Sequence, residues 1–382
     1  MDFRDTADEA AFRAEAAAWL DGALGGRPTG RGDGAKEHAS RWWQEQLAQG
    51  GWAGITWPRE YGGRSQTIVH EAIFLEESAR REAPEPLNLL GMILAGPTIL
   101  VHGTDEQKQR YLPKILSGEE IWCQGFSEPG AGSDLASLRT AATLGDGGYV
   151  INGQKVWTSF AHEADRCMLL ARTASDAASK HAGITYFLAS MEGVEVRPLV
   201  MINGDKDFNE MFFTDVVIAE DEVLGQVGQG WSVAVTTLAF ERGSLAFALG
   251  AVAHQTLQRL VALAVSAGAT EDPVVLGELG GFSADVEALR LSTIRQLSEL
   301  QAGRSPGAEG SAVKLSWARV MQAMTRFAIE LRGPDGVTMD QPDVERWALG
   351  YLRSRGMSVE GGTDEIQKSI IAERVLGLPR SR

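Results

Sequence analysis

Cysteine is almost absent: the 382 residues hold two, Cys123 and Cys167, far apart and without CxxC spacing. That excludes a disulfide framework and a cysteine zinc site, and fits a reducing compartment. Histidine is sparse as well. The six, at positions 38, 70, 102, 162, 181 and 254, show neither HxxxH nor HExxH spacing, so no metal site is expected. A basic stripe is missing too: acids outnumber bases by 51 to 36, a formal charge of −15, without a block of like charge, which speaks against a nucleic-acid partner. No apolar run comfortably spans a bilayer, since "LNLLGMILAGPTILVHG" is broken by Gly91, Gly96 and Pro97. The opening "MDFRDTADEAAFRAEAAAWL" has neither the basic n-region of a signal peptide nor the acid-poor character of a transit peptide. A cytoplasmic protein without a membrane partner is expected.

What is present is an ordinary globular composition, 44% apolar and 23% charged, long enough for two or three domains. Hydrophobic periodicity changes twice. Over 1–118 it is helical, as in "EAAFRAEAAAWLDGAL", "HASRWWQEQLAQ", "HEAIFLEESARRE" and "TDEQKQRYLPKILSG", the last opened by Thr104 and Gln107 at capping-box spacing. Trp42, Trp43, Trp52 and Trp57 read as core. Over 119–224 the pattern is that of strands: "GYVINGQKVW", with Asn152-Gly153 as a two-residue hairpin turn, then "ITYFLAS", "VEVRPLV" and "FNEMFFTDVVI". Over 225–382 helices return, beginning with one long element from Trp231 to Ser266. The plan is helical, β, helical.

The loop "SEPGAGSDL", Ser127 to Leu135, invites a phosphate reading. A dinucleotide fingerprint fails, because "GAGSDL" keeps only the first two glycines of G-x-G-x-x-G and βαβ alternation is absent. A Walker loop fails because Gln154 follows the glycine of "NGQK". As plain structure, Glu128-Pro129-Gly130 reads as a type II turn.

Taken in order, "SEPGAGSDL", "NGQKVWTS" and the closing "VEGGTDEIQKSIIAERVLGLPR" resemble the acyl-CoA dehydrogenase family along almost the whole chain. The resemblance implies an α+β fold with an N-terminal helical domain (1–118), a middle β-barrel-like domain (119–224) and a C-terminal four-helix bundle (225–382). It implies FAD as cofactor and oxidation of an acyl-CoA to its trans-2-enoyl form, as in β-oxidation. By position, Phe126 and Ser127 would lie along the flavin ring, Trp157 and Thr158 would flank it, and Ser159 would hydrogen-bond N5. Thr363, Asp364 and Glu365 would lie near the pyrophosphate, and Ser133 would contact the CoA portion of the substrate.

Abstracting a proton α to a thioester needs a carboxylate with a raised pKa in a dry pocket. One family position for the base precedes the final "GT", where this chain has Gly361. The other lies on the long helix before an arginine, where it has Glu241 and Arg242. On that helix Glu241 shares a stripe with Ala234, Leu238, Leu245 and Ala248, so desolvation would raise its pKa. A buried Glu241-Arg242 or longer ion pair without a catalytic role is the alternative. Glu360, one residue before Gly361, is a competing base, and the Gly361 N–H is a candidate donor to the thioester carbonyl. Arg242 joins the substrate-binding candidates.

Two stretches depart from the family. "AVSAGATEDPVVLGELGG" lacks the arginine, phenylalanine and glutamine that family tetramers lend to a neighbour's FAD, and "ELRGPDG" stands where a Gln-x-x-Gly-Gly run is usual. The departures suggest either a heteromer with a second homologous subunit or a homo-oligomer with altered adenine contacts. An electron-transfer flavoprotein is the expected reoxidant. An acyl-CoA oxidase and a non-catalytic, FAD-completing subunit are the rival readings, and the acyl group stays open.

Overall fold

The computed structural model describes residues 4–30, 34–175, 179–302, 307–338 and 342–379, with the side chains of 241–248 and 342–344 outside the described set. Helices α1 (Ala7–Ala23), α2 (Ala35–Gln49), α3 (Ile68–Arg80), α4 (Gly96–His102) and α5 (Asp105–Ser117) come first. Strands β1 (Trp122–Gly125), β2 (Ala141–Gly145), β3 (Gly148–Ser159), β4 (Arg166–Arg172), β5 (Ile184–Ser190), β6 (Glu195–Leu199) and β7 (Phe208–Ile218) follow. Helices α6 (Gly230–Ser266), α7 (Pro273–Gln301), α8 (Gly310–Arg332), α9 (Pro342–Ser354) and α10 (Asp364–Ile370) complete the order, and the fold is α+β in the helical, β, helical sequence.

Local chemistry sets several of these boundaries. The Thr104 hydroxyl accepts from the Gln107 N–H while the Gln107 side chain accepts from the Thr104 N–H, the reciprocal cap expected for α5. Asp272 caps α7 with Pro273 in its first turn, and Thr363 caps α10.

By contact density the chain divides into two units, 1–22 with 67–83 and 241–382, and 23–66 with 84–240. In the second unit the sheet order is β1-β4-β2-β3-β7-β6, with β5 paired to β4. Strands β4 and β5 are buried on both faces. Met168, Leu170, Tyr186 and Leu188 pack with Trp57, Ile99, Tyr111 and Ile115 of the helical segment, whereas Cys167, Leu169, Phe187 and Ala189 pack with Met211, Phe213 and Ile218 across the other face. The period of two in side-chain direction produces this split from a nearly continuous apolar run. Trp43, Trp52 and Trp57 are core as expected, but Trp42 is only half-buried and leans on Trp43 at 5.7 Å.

The expected hairpin turn at Asn152-Gly153 is not one. β3 continues through both residues, with a slip in its pairing to β7 between Ile151 and Gly153, and the two-residue turn is Asp146-Gly147, flanked by the Gly145–Gly148 pair. Gly153 is required by a close approach instead: a Cβ there would lie 2.7 Å from the Thr140 Cα. Asn152 is drawn across the sheet, its side chain bonding the Asp215 carboxylate and accepting from the Asp215 N–H, each at 3.0 Å.

In the first unit, α6 (from Ala253 on), α7, α8 and α9 share one core built on Leu257, Leu260, Phe282, Leu289, Trp317, Met321 and Trp347. Each such aliphatic or aromatic side chain contributes about 2 kcal/mol by leaving water. Helices α1 and α3 belong to this unit. Glu77 of α3 is buried and its carboxylate accepts from Arg13 at 2.8 Å, Arg80 at 3.1 Å and Arg81 at 2.6 Å.

Candidate functional site

Phe126 leaves the end of β1 buried, its ring edge-on to Tyr186 at 5.9 Å. Backbone bonds in both directions between Glu128 and Ala131 close a turn around Pro129 and Gly130. Gly130 does not take the positive φ of a type II turn, so that expectation is corrected. The two-way bond fixes the turn without help from a left-handed glycine. Beyond it, Gly132, Ser133 and Asp134 are exposed, and Asp134 pairs with Lys180 at 2.6 Å.

The Ser127 carbonyl accepts from the Val156 N–H at 3.0 Å, which sets Phe126 and Ser127 beside the end of β3. There the β3–β7 ladder slips between Lys155 and Thr158. Trp157 occupies the slip with φ of +61°, and its indole is 63% exposed, edge-on to Phe208 at 6.2 Å. A tryptophan in the left-handed region is strained by roughly 1–3 kcal/mol, and such strain collects at functional sites. Thr158 is buried with its Oγ1 unpartnered, while its carbonyl accepts from Asn209 at 3.0 Å. Ser159 follows, half-buried, and Phe160 is again left-handed at φ of +54°.

Sequence reasoning passed over what lies beneath this surface. Lys155, fully buried, donates from Nζ to the Glu128 carboxylate at 2.9 Å and to the Phe126 carbonyl at 3.0 Å. The Glu128 carboxylate also accepts from the Arg139 N–H at 2.6 Å and the Thr140 N–H at 2.8 Å. Burial pushes the Glu128 carboxyl up, but the Lys155 cation and these donors outweigh it and hold it below the usual range. Burial lowers the Lys155 ammonium, with Glu128 opposing. An acid directly before Pro129 was the one available signal, since Lys155 follows Gln154 in a strand end of mixed polarity.

The C-terminal candidates form a cluster in the other unit. Gly361 and Gly362 both take positive φ, +61° and +91°. Gln367 donates to the Gly361 carbonyl and Lys314 to the Gly362 carbonyl, each at 2.7 Å. The Thr363 hydroxyl accepts from the Ile366 N–H at 3.3 Å. Asp364 Oδ1 and Gln367 Oε1 are buried and unpartnered, and Glu365 is exposed, its carboxyl held below the usual range by its own backbone N–H and the Thr363 hydroxyl. Glu360, the competing base, is half-buried with its two oxygens on Arg353 at 2.8 and 3.2 Å. Glu241 and Arg242 lie within α6, but their side chains fall outside the described residues.

Within the sheet unit, the exposed Trp157 indole is followed directly by the orphaned, buried Thr158 hydroxyl and the half-buried Ser159, groups whose chemistry suits a flat heteroaromatic ring with a polar edge. The fold around it is matched by three family models: acyl-CoA dehydrogenase N-terminal domain over residues 6–119, middle domain over 123–216 and C-terminal domain over 228–376. The chain belongs to the acyl-CoA dehydrogenase family, a family of oxidoreductases. It is 41% identical over 378 residues, 97% of each chain, to the acyl-CoA dehydrogenase IpdE1 of Mycobacterium tuberculosis. Among solved structures it is similar to the Tcur3481-Tcur3483 steroid ACAD, with 30% identity, a TM-score of 0.87 and full coverage of both chains. The ChsE4-ChsE5 complex from Mycobacterium tuberculosis is similar at 30% identity and a TM-score of 0.85, again over the whole of both chains. Among the described residues no helix is long and apolar enough to cross a membrane.

Proposed function

We propose that this chain dehydrogenates an acyl-CoA thioester to the trans-2-enoyl-CoA, with FAD as its cofactor and Glu241 as the base that takes the α-proton. The observation that carries the reading is the strained, exposed Trp157 beside the buried, unpartnered Thr158 hydroxyl. Both fit a flavin: the indole offers a face for the ring and the hydroxyl a hydrogen bond for its edge. When bound, FAD supplies the hydride acceptor. Phe126, Ser127 and Ser159 orient the ring, Thr363 and Glu365 line its phosphate end, and Ser133 lies on the exposed loop where it can meet the CoA portion. The Gly361 N–H polarises the thioester carbonyl and Arg242 aids substrate binding. With Glu360 engaged by Arg353, the base role falls to Glu241.

The relatives support two finer points. A neighbour described as a steroid ACAD favours a polycyclic, steroid-derived acyl group over a short straight chain, and neighbours built from two differently named chains favour a second homologous subunit here. An electron-transfer flavoprotein is the proposed reoxidant, and the domain division at residues 118 and 224 is retained as part of the reading. The test is anaerobic addition of short straight, branched and steroid-derived acyl-CoAs to the flavin-loaded protein while the visible flavin band is followed. Bleaching by the steroid-derived thioester, strongest in the series, is expected. A loaded protein that none of them bleaches overturns the activity, and rapid recolouring by oxygen alone favours an oxidase.

A further inference from the structure

Three consecutive residues at the head of the Ser127–Leu135 loop are held by two consecutive residues of β3. Phe126 is held at its carbonyl by Lys155 Nζ, Ser127 at its carbonyl by the Val156 N–H, and Glu128 at its carboxylate by Lys155 Nζ. Through the same carboxylate, Glu128 reaches the backbone N–H groups of Arg139 and Thr140 beyond the loop's far end. The loop thus has an anchored base and an exposed tip, Pro129, Gly130 and Gly132 to Asp134. The anchor also sits directly before the ladder slip in which Trp157 takes its left-handed φ. Strained backbone persists only where its surroundings over-determine it. A fully buried ion pair is weak as a source of stability, because desolvation of both charges offsets their attraction, so its retention here asks for another role.

We infer that the Glu128–Lys155 pair is a positioning element: it presets the Phe126–Glu128 backbone and the bulge between Lys155 and Thr158 in the geometry that receives the flavin ring. The inference rests on the proposed flavin site. Neither residue touches the reacting atoms. A structural role alone would give a different pattern, since it would move folding stability without changing how folded protein holds flavin.

The experiment compares the full wild-type chain with Lys155→Met and with Glu128→Gln/Lys155→Met, each assembled with the same homologous partner subunit, stripped of flavin and titrated with FAD. The double variant leaves no uncompensated buried charge, so the flavin-free protein should recover most of the melting temperature lost in Lys155→Met. Its FAD affinity should stay at least about tenfold below wild type, with a shifted visible band in the bound form, because the Phe126 carbonyl has lost its charged donor. Wild-type affinity and spectrum in the double variant overturn the inference while leaving the flavin site standing. A wild-type chain that binds no FAD even when assembled with a homologous partner subunit removes the proposed function instead. Hydrogen exchange on the unaltered protein gives a second arm: the Arg139 and Thr140 amides should be protected equally with and without FAD. Protection that appears only with FAD overturns a preset anchor.

Discussion

A carboxylate held by an ion pair is a poor base, and of the two candidate glutamates Glu360 is so held. Glu360 is gripped by Arg353 through both oxygens, on a loop whose glycines Gly361 and Gly362 are fixed by Gln367 and Lys314. Glu241→Gln, nearly isosteric, should therefore keep the bound flavin and lower turnover by at least about 10²-fold. Glu360→Gln should leave turnover within a few-fold and cost about 0.5 kcal/mol of stability, the range of a half-exposed ion pair. Steady-state kinetics and urea unfolding read both, and reversed results would move the base to the terminal loop. Ser159→Ala should retain FAD and slow its reduction about tenfold, since one hydrogen bond is lost; an unchanged rate in stopped flow would mean that Ser159 does not face the ring. At this scale the candidates Trp157, Thr158 and Ser159 were legible, because they stand in a recognisable motif. Lys155, in the same motif, stayed invisible. A lysine in a strand is ordinarily solvated, and only the tertiary approach of Glu128 and the Phe126 carbonyl makes its burial possible.

Among elements, α1 and α3 are joined by the charge cluster around Glu77. Burial pushes that carboxyl up, but the guanidiniums of Arg13, Arg81 and Arg80 outweigh it, so it ends below the ordinary 4.5. With the folded value depressed, the unfolded chain binds the proton first. The cluster's contribution is then complete above about pH 4.5 and is lost as pH falls through the lower folded value. Glu77→Gln leaves three guanidiniums around a neutral amide and should cost about 2 kcal/mol near neutral pH. It should also flatten the acid limb of the stability profile, with less difference from wild type near pH 3 than near pH 7; urea midpoints at the two conditions check it. The helices themselves were legible from apolar spacing and caps. The turn in the β segment was not, because Asn-Gly and Asp-Gly are equally good two-residue turns locally. What decides between them is the ladder: Asn152 lies opposite Ala141 of β2, so the strand continues through it and the chain reverses at Asp146-Gly147.

For the molecule as a whole, the segment from Ala264 to Gly281 carries no arginine, phenylalanine or glutamine to offer a neighbouring subunit's cofactor, and the run at Glu330–Gly336 is altered as well. Val265, Val274 and Leu276 on that first segment are nonetheless more than half exposed, which suits burial against another chain. A partner that supplies the missing polar groups would satisfy both facts, since charged and polar edges of a dinucleotide left unpaired on burial cost about 1–3 kcal/mol each. Expressed alone, the chain should therefore carry well under one FAD per chain and gain little melting temperature from added FAD, because a ligand stabilises only in proportion to its affinity for the folded state. Co-expression with a homologous subunit that carries the arginine, phenylalanine and glutamine should raise flavin content and turnover together. Flavin per chain, solution mass and activity, measured with and without that subunit, decide it. A stable, active homo-oligomer with one tightly held FAD per chain would overturn the heteromer and assign the adenine end to other residues of this chain.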